Sequence, residues 1–346
     1  KRWAYRIDPP GKKRRNYSTL DDDISQSATR FLMRLDHALE QGDKEITEMA
    51  AYAINALVDS AQYPCGGFPQ VWEGERPESW HACPDAAGYP ETWSRVYEGH
   101  KKYWYRYTLN DDVAESTLKT LLLAHRIYQK ARYREAGLRL ADFLLRAQMP
   151  QHQPAWAQQY NFDLQPIWAR KFEPPAIASS ESQSTIEALI MMTHETGDHR
   201  YAQAAKKALD YLRSCERVDG RFARFYELRT NRPLFMNKRY ELTYDSSGTP
   251  SHYGFLINDR TESLRQKLVG TRAEMSRRLV DRWIGWRPSP TSRQSVLRAL
   301  AIMDDRGAFV EEGSMKFHRH EGRIISMRTT SRALQEFAAA LGSPDR

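Results

Sequence analysis

Asn110, Asp111 and Asp112 stand in YRYTLNDDVAESTLKTLLLA, Tyr105 to Ala124, directly before an apolar run of helical spacing. Two roles fit that position. Asn and Asp cap helices by accepting the free N–H groups of the first turn, and Asp112-x-x-Glu115 has capping-box spacing. Adjacent carboxylates at a helix start also form a hard, anionic oxygen cluster suited to Ca²⁺ or to a reacting substrate. The two roles are compatible, because a capped helix start holds its carboxylates firmly.

A third carboxylate, Glu173, lies in WARKFEPPAIASSES and is followed by Pro174 and Pro175, which restrict the backbone that carries it. Its ordinary role would be a salt bridge; Glu181, near the start of the next helix, is read as a partner of the helix dipole. The cations gather in RTNRPLFMNKRY, residues 229–240, where Asn231 and Pro233 set a turn beside Arg229, Arg232, Lys238 and Arg239. Such a loop is either a solvated basic surface or a set of guanidinium forks for carboxylates.

Helical hairpins must position these groups. Apolar residues recur at helical spacing through DDDISQSATRFLMRLDHALEQ, EITEMAAYAINALVDSA, STLKTLLLAHRIYQKA, YREAGLRLADFLLRAQ, STIEALIMMTHETG and RYAQAAKKALDYLRSC. Further helices are expected at 261–280, 290–304 and 330–341, with few and short strands. Two hairpins are copies 68 residues apart: Ser116-Thr117 matches Ser184-Thr185, Tyr133 matches Tyr201, and Asp142 matches Asp210. Each copy runs into an aromatic segment, WAQQY (Trp156 to Tyr160) and FARFY (Phe222 to Tyr226), and the hairpin at 45–61 ends in GGFPQVW. Stacked helix pairs of this kind predict an all-α fold, an α/α toroid whose loop face carries the chemistry. We expect a basic N-terminal arm at 1–20 and one toroid domain over 21–346.

Six of the nine tryptophans, Trp72, Trp80, Trp93, Trp104, Trp156 and Trp168, fall in Pro- and Gly-punctuated sequence mixed with tyrosines, His100, Lys101 and Lys102. Singly each would be a buried staple. Together they suggest a groove for sugar rings, with cations favouring a sugar acid. The formal charge of +8 favours a polyanionic partner, such as nucleic acid, anionic lipid or acidic polysaccharide. No nucleic-acid-binding pattern follows the basic KRWAYRIDPPGKKRR, and no segment has the apolar length of a membrane helix, so neither nucleic acid nor membrane is an expected partner. Lys1 reads as a trimmed or processed start. Three cysteines do not make a disulfide scaffold; Cys65 and Cys83 can pair or stay free, and Cys215 is read as buried. His318 and His320 alternate as on a strand without a third zinc ligand, and phosphate-loop, serine-elbow and C-x-x-C motifs are missing.

The blocks GGFPQ, TLNDDV, WAQQYNFDLQPIWARKFEPPAI-SSES and YEL-TNRPLF, in this order over roughly residues 50 to 260, resemble polysaccharide lyase family 10, the pectate (pectic acid) lyases. The resemblance implies an all-helical toroid-like fold and cleavage of polygalacturonate by β-elimination, assisted by Ca²⁺, in a secreted or periplasmic protein expected to be monomeric. It implies that Asp111, Asp112 and Glu173 hold the metal. It further implies that Asn110, Trp156, Arg170, Asn231, Lys238, Arg239 and Arg332 meet the substrate, with Arg328 an alternative at the C-terminal end. The family's base is an arginine, carried here onto Arg232. A guanidinium does not normally lose its proton near neutral pH, so Lys238, Arg239, Tyr240 and His252 stay open as rivals. Two departures bear on substrate identity. The segment between GGFPQ and NDD is longer than the family leads one to expect, and PAWAQQY lacks glycines before its tryptophan.

Two other classes remain open at this level. A toroid glycoside hydrolase would use one of Asp111 and Asp112 with Glu173 as acid and base, and would leave no unsaturated product. A non-catalytic glycan-binding module would keep the groove and show no turnover.

Overall fold

The structure is a computed structural model that describes residues 17–73, 83–99, 102–270, 291–315 and 320–341. The arm at 1–16, together with Trp80, His100, Lys101 and His318, lies outside the described residues. The chain forms two compact units, within Lys1–Arg277 and Arg278–Arg346.

The first unit is built from three helical hairpins and a further helix. These are α1 (Ile24–Ala38) with α2 (Lys44–Ala56), α3 (Val113–Tyr128) with α4 (Ala131–Ala147), α5 (Ser179–Thr196) with α6 (His199–Ser214), and α7 (Thr261–Val269). α1, α3, α5 and α7 pack side by side in that order, while α4 and α6 line the outside. This arrangement explains their compositions. α3 and α5 touch neighbours nearly all round and bury residues on every face, including Thr117, Thr120, Ser182 and Thr185. The outer α4 and α6 bury one stripe and leave charges on the other. The α/α toroid expectation is borne out in this array. Copied residues also do copied work: Tyr133 donates to Asn55 on α2 and Tyr201 to Asp142 on α4, each at 3.1 Å, tying one outer helix to the one before.

Short strands stitch the loops together: β1 (Ser18–Thr19), β2 (Val71–Trp72), β3 (Tyr107–Thr108), β4 (Gln159–Tyr160), β5 (Ala176–Ala178), β6 (Arg217–Val218), β7 (Arg221–Ala223), β8 (Phe225–Glu227), β9 (Pro233–Met236), β10 (Leu242–Thr243) and β11 (Leu256–Ile257). β3 pairs β4, and β5, β8, β9 and β10 make one antiparallel sheet. Backbone bonds continue the stitching, from Thr108 N to the Phe68 carbonyl, Leu109 N to Gln158, Ala178 N to Trp156 and Ser179 N to Arg224. The four sequence blocks are thereby laid against one another at the starts of α3 and α5. Gly66 is required here: its φ is +96°, and a Cβ would collide with the Arg139 carbonyl.

The second unit holds α8 (Arg293–Ala301), the hairpin β12 (Glu311–Met315) with β13 (His320–Ile324), and α9 (Met327–Leu341), around Ala299, Phe309 and Ala333. Arg328 and Arg332 belong to this unit, and both are exposed.

Candidate functional site

The carboxylates at the start of α3 do not cap it. Asp112 occupies the cap position in a left-handed conformation and makes no side-chain bond to the first turn. Its Oδ1 instead accepts a hydrogen bond from Ser184 on α5. Glu115 pairs with Lys119 and closes no capping box. Asp43 at α2 shows what capping looks like in this protein, accepting from Glu45 N and Ile46 N at 3.0 and 3.1 Å. The capping expectation is therefore corrected: the backbone here is bent to aim Asp111 and Asp112 elsewhere.

A second segment has the same bend. Asp22 and Asp23 have φ of 51° and 60°, and Asp111 and Asp112 have φ of 51° and 59°. Asp tolerates the left-handed region better than most residues, yet four such residues in two facing turns is backbone strain concentrated at one place. The result is a cluster in which Asp21, Asp22 and Asp111 each bring a carboxylate oxygen within 4.8 Å of the others. Burial, a hydrogen bond with Asp21 and the nearby charges of Asp21, Glu181 and Asp22 push the Asp111 carboxyl up to about 8. Asn110 is buried and donates its amide to Asp111 Oδ2 at 2.6 Å, which leaves its own Oδ1 buried without a partner. Crowded carboxylates beside an unsatisfied amide oxygen are a donor set that suits a hard divalent cation such as Ca²⁺.

The implied ligand set changes accordingly. Glu173 is buried and fully engaged, accepting from the Arg170 backbone N–H at 3.0 Å, Arg170 Nε at 2.7 Å and Tyr253 OH at 3.0 Å. Asp112 is held by Ser184, whose hydroxyl also accepts from Arg260 at 3.3 Å. Asp21 and Asp22 were missed because DDDIS reads as the start of an amphipathic helix. The available signal was the likeness of LDDDI (Leu20 to Ile24) to LNDDV (Leu109 to Val113).

Arg224 is a cation whose charge bears on Asp111. It donates to Glu181 at 2.9 Å, with its guanidinium 4.6 Å from the centre of the Tyr253 ring. Burial works against its charge, but Glu181, Tyr253, Asp111 and Glu173 more than offset this and raise its affinity for the proton. Glu181 is thus an ion-pair partner rather than a dipole partner. Arg170 is stabilised the same way by Glu173.

Arg232 is exposed, with its Cζ 3.4 Å from the centre of the Tyr244 ring. Among the described residues, no hydrogen bond or ion pair joins Arg232 to Asp111, Asp112 or Glu173. Lys238 and Arg239 are exposed on the same loop. Asn231 is occupied in the turn itself, accepting from Gln153 at 3.2 Å and from the Tyr211 hydroxyl. Trp156 is 0% exposed, and its indole donates to the Leu144 carbonyl at 2.8 Å. It is a core staple and not a sugar platform. Trp168 is also buried and donates to Ser94. Cys65 and Cys83, left open by the sequence, form a disulfide with Cα atoms 5.3 Å apart, and Cys215 is free and buried.

Residues 86–220 match the family model described as pectic acid lyase. A solved structure of a mutant of the family 10 polysaccharide lyase from Cellvibrio cellulosa, in complex with trigalacturonic acid, is 21% identical. It covers 73% of this chain and 82% of that one, with a TM-score of 0.58. A second structure of the Cellvibrio cellulosa lyase is also 21% identical, over 72% and 79% of the two chains, with a TM-score of 0.56. No relative is found among curated protein sequences. The fold is shared with the family 10 polysaccharide lyase structures, and the match to the pectic acid lyase model spans residues 86–220, less than half of the chain. The matched segment contains two of the ordered blocks, TLNDDV and WAQQY through SSES.

Proposed function

We propose that the protein cleaves a pectate-like uronic-acid polymer by β-elimination, in a secreted or periplasmic setting and as a monomer. The supporting observation is that the family-matched segment contains Asn110–Asp112, whose Asp111 converges with Asp21 and Asp22 on one oxygen-rich cluster. Ca²⁺, where bound, would offset negative charge on the uronate carboxylate and so acidify the neighbouring C5 proton. Asp21, Asp22 and Asp111 would hold it with the side-chain Oδ1 of Asn110. Arg224 and Glu181 form a buried ion pair behind the cluster, and Arg170 with Glu173 fixes the adjacent loop.

Removal of the C5 proton is assigned to Arg232, by likeness to the family, with Lys238 and Arg239 as alternatives on the same exposed loop. As the guanidine, in its neutral form, accepts the C5 proton, the electron pair forms the C4=C5 double bond. The C4–O bond breaks, and the departing oxygen takes a proton from water, leaving an unsaturated uronate. Secretion is supported by the Cys65–Cys83 disulfide, a bond that persists in oxidising compartments. Among the described residues, no helix is long and apolar enough to cross a membrane.

Incubation with polygalacturonate, with Ca²⁺ or with a chelator, tests the proposal. Near-ultraviolet absorbance of an unsaturated product that requires Ca²⁺ is expected. Reducing ends without that absorbance would make the protein a hydrolase, and binding without turnover on any uronic polymer would make it a glycan-binding module.

A further inference from the structure

The long segment between the first two blocks is anchored rather than loose over residues 83–99. The Cys65–Cys83 disulfide holds its start, Ala87 N donates to the Arg146 carbonyl at 2.6 Å, and the Trp168 indole holds Ser94 O. At its far end, Tyr97 OH donates to the Ala169 carbonyl at 3.3 Å, and its ring packs on Trp168. Arg229 of the basic loop donates to Pro90 O at 3.0 Å. The segment therefore lies against both Arg229 and the stretch that leads into Arg170.

Arg95 of this segment makes a charged contact with that loop region. It pairs with Glu227, and its Cζ lies 5.5 Å from the centre of the Tyr244 ring and 5.6 Å from that of Trp93. Arg232 stands over the same Tyr244 ring at 3.4 Å. Glu227 organises the group: its carboxylate accepts from Tyr244 OH at 3.0 and 2.9 Å, from Thr230 and from Arg95. Burial alone would raise its carboxyl, but the bonds from Thr230, Tyr244 and Arg95 bring it below the usual range. One carboxylate with its oxygens fully used thus sits beside two guanidiniums, and Arg232 has no acidic partner among the described residues. Arg95 keeps 45% of its side chain exposed.

We propose that Arg95, across the Tyr244 ring from Arg232, is a specificity-determining residue that binds a carboxylate of an anionic sugar chain, and that Glu227 is its positioning residue. This rests on reading the protein as acting on a uronic polymer. A planar fork over an aromatic ring suits a sugar acid, whose carboxylate takes the fork while its C–H face meets Tyr244 or Trp93.

Calorimetric titration of full-length wild type, Arg95→Gln and Arg132→Gln with an oligogalacturonate and with its methyl ester tests the assignment. Arg132 is a remote, exposed arginine paired with Asp59, and its removal matches the change in net charge. We expect Arg95→Gln to weaken oligogalacturonate binding about tenfold, leave the methyl ester unaffected, and keep the wild-type melting point. Arg132→Gln should bind as wild type does. Equal affinity of Arg95→Gln and wild type, or equal weakening by both variants, overturns the proposal. Failure of the wild type to bind any uronate overturns both readings, whereas selective binding with no unsaturated product overturns the lyase reading alone.

Discussion

Arg224 reaches Glu181 across the start of α5 at 2.9 Å, and the two side chains are 12% and 2% exposed. Removing one partner of such a pair strands the other as a buried charge, at a cost of about 3–5 kcal/mol. Urea unfolding of Glu181→Ala should therefore show a loss of that size. Replacing both residues by apolar ones of similar volume, Arg224→Met with Glu181→Leu, should recover much of it. A loss under about 1 kcal/mol for Glu181→Ala would mean that Arg224 finds another partner.

The Asp111 carboxyl has the opposite problem, since acidic neighbours surround it. Its folded value of about 8 lies above its ordinary 3.8, so the folded state holds the proton more tightly than the unfolded chain. That contribution to stability is complete below about pH 3.8 and is lost as pH rises through about 8. In a chelator the melting point should fall over this window more steeply for wild type than for Asp111→Asn. Added Ca²⁺ should restore wild type at pH 8 and leave the variant unchanged. Parallel pH profiles for the two proteins, with no response to Ca²⁺, would remove the cluster from the proposed mechanism.

How much of this was legible follows the range of the interactions involved. Helical pairs are local and periodic, so Tyr133 and Tyr201 announce their copied places in the chain itself. The sheet of β5, β8, β9 and β10 joins residues far apart through strands of two to four residues, too short to show a period. The site divides the same way. Asp111 was visible because two acids before an apolar run are unusual. Asp21 and Asp22 lay hidden inside a plausible helix start, and Arg224 inside the aromatic FARFY. Trp156 misled because aromatic loop residues look alike whether their faces are open or sealed, and burial is decided by the chain folding over them.

Trp156 offers a direct check on that correction. With its indole sealed and bonded to Leu144 O, Trp156→Phe loses a buried hydrogen bond and some volume, a cost of about 1–3 kcal/mol. KM for polygalacturonate should not move. A raised KM with an unchanged melting point would return Trp156 to the substrate groove.

Arg232 and Arg239 lie on the same exposed loop, and kinetics can separate their roles. Loss of a proton-transfer group costs on the order of 10²–10⁴-fold in rate. Arg232→Lys and Arg232→Ala should each lower kcat by at least about a hundredfold, with melting points within a degree or two of wild type, because the guanidinium is exposed and packs on Tyr244 without an acidic partner among the described residues. Arg239→Ala should act chiefly on KM. Should Arg239→Ala or Lys238→Ala instead abolish kcat while Arg232→Ala keeps it, the base lies elsewhere on the loop and Arg232 serves only to bind.

The Cys65–Cys83 bridge closes a loop of 18 residues in sequence separation and ends on the segment that carries Arg95. Cross-links over loops of this length stabilise by about 3 kcal/mol, largely by restricting the unfolded chain. Cys83→Ser should therefore lower stability by about that amount, and reduction of wild type should lower it similarly. Cys215 is not a confounder, since burial raises its thiol above the ordinary range and keeps it slow to react. The bridge should also matter for substrate choice, because Arg95 keeps its place only while the segment stays anchored. Reduced protein is expected to lose its preference for oligogalacturonate over the methyl ester under conditions where it is still folded. If reduction leaves that preference intact, the contacts of Trp168 and Tyr97 alone suffice to hold Arg95, and the bridge acts on stability only.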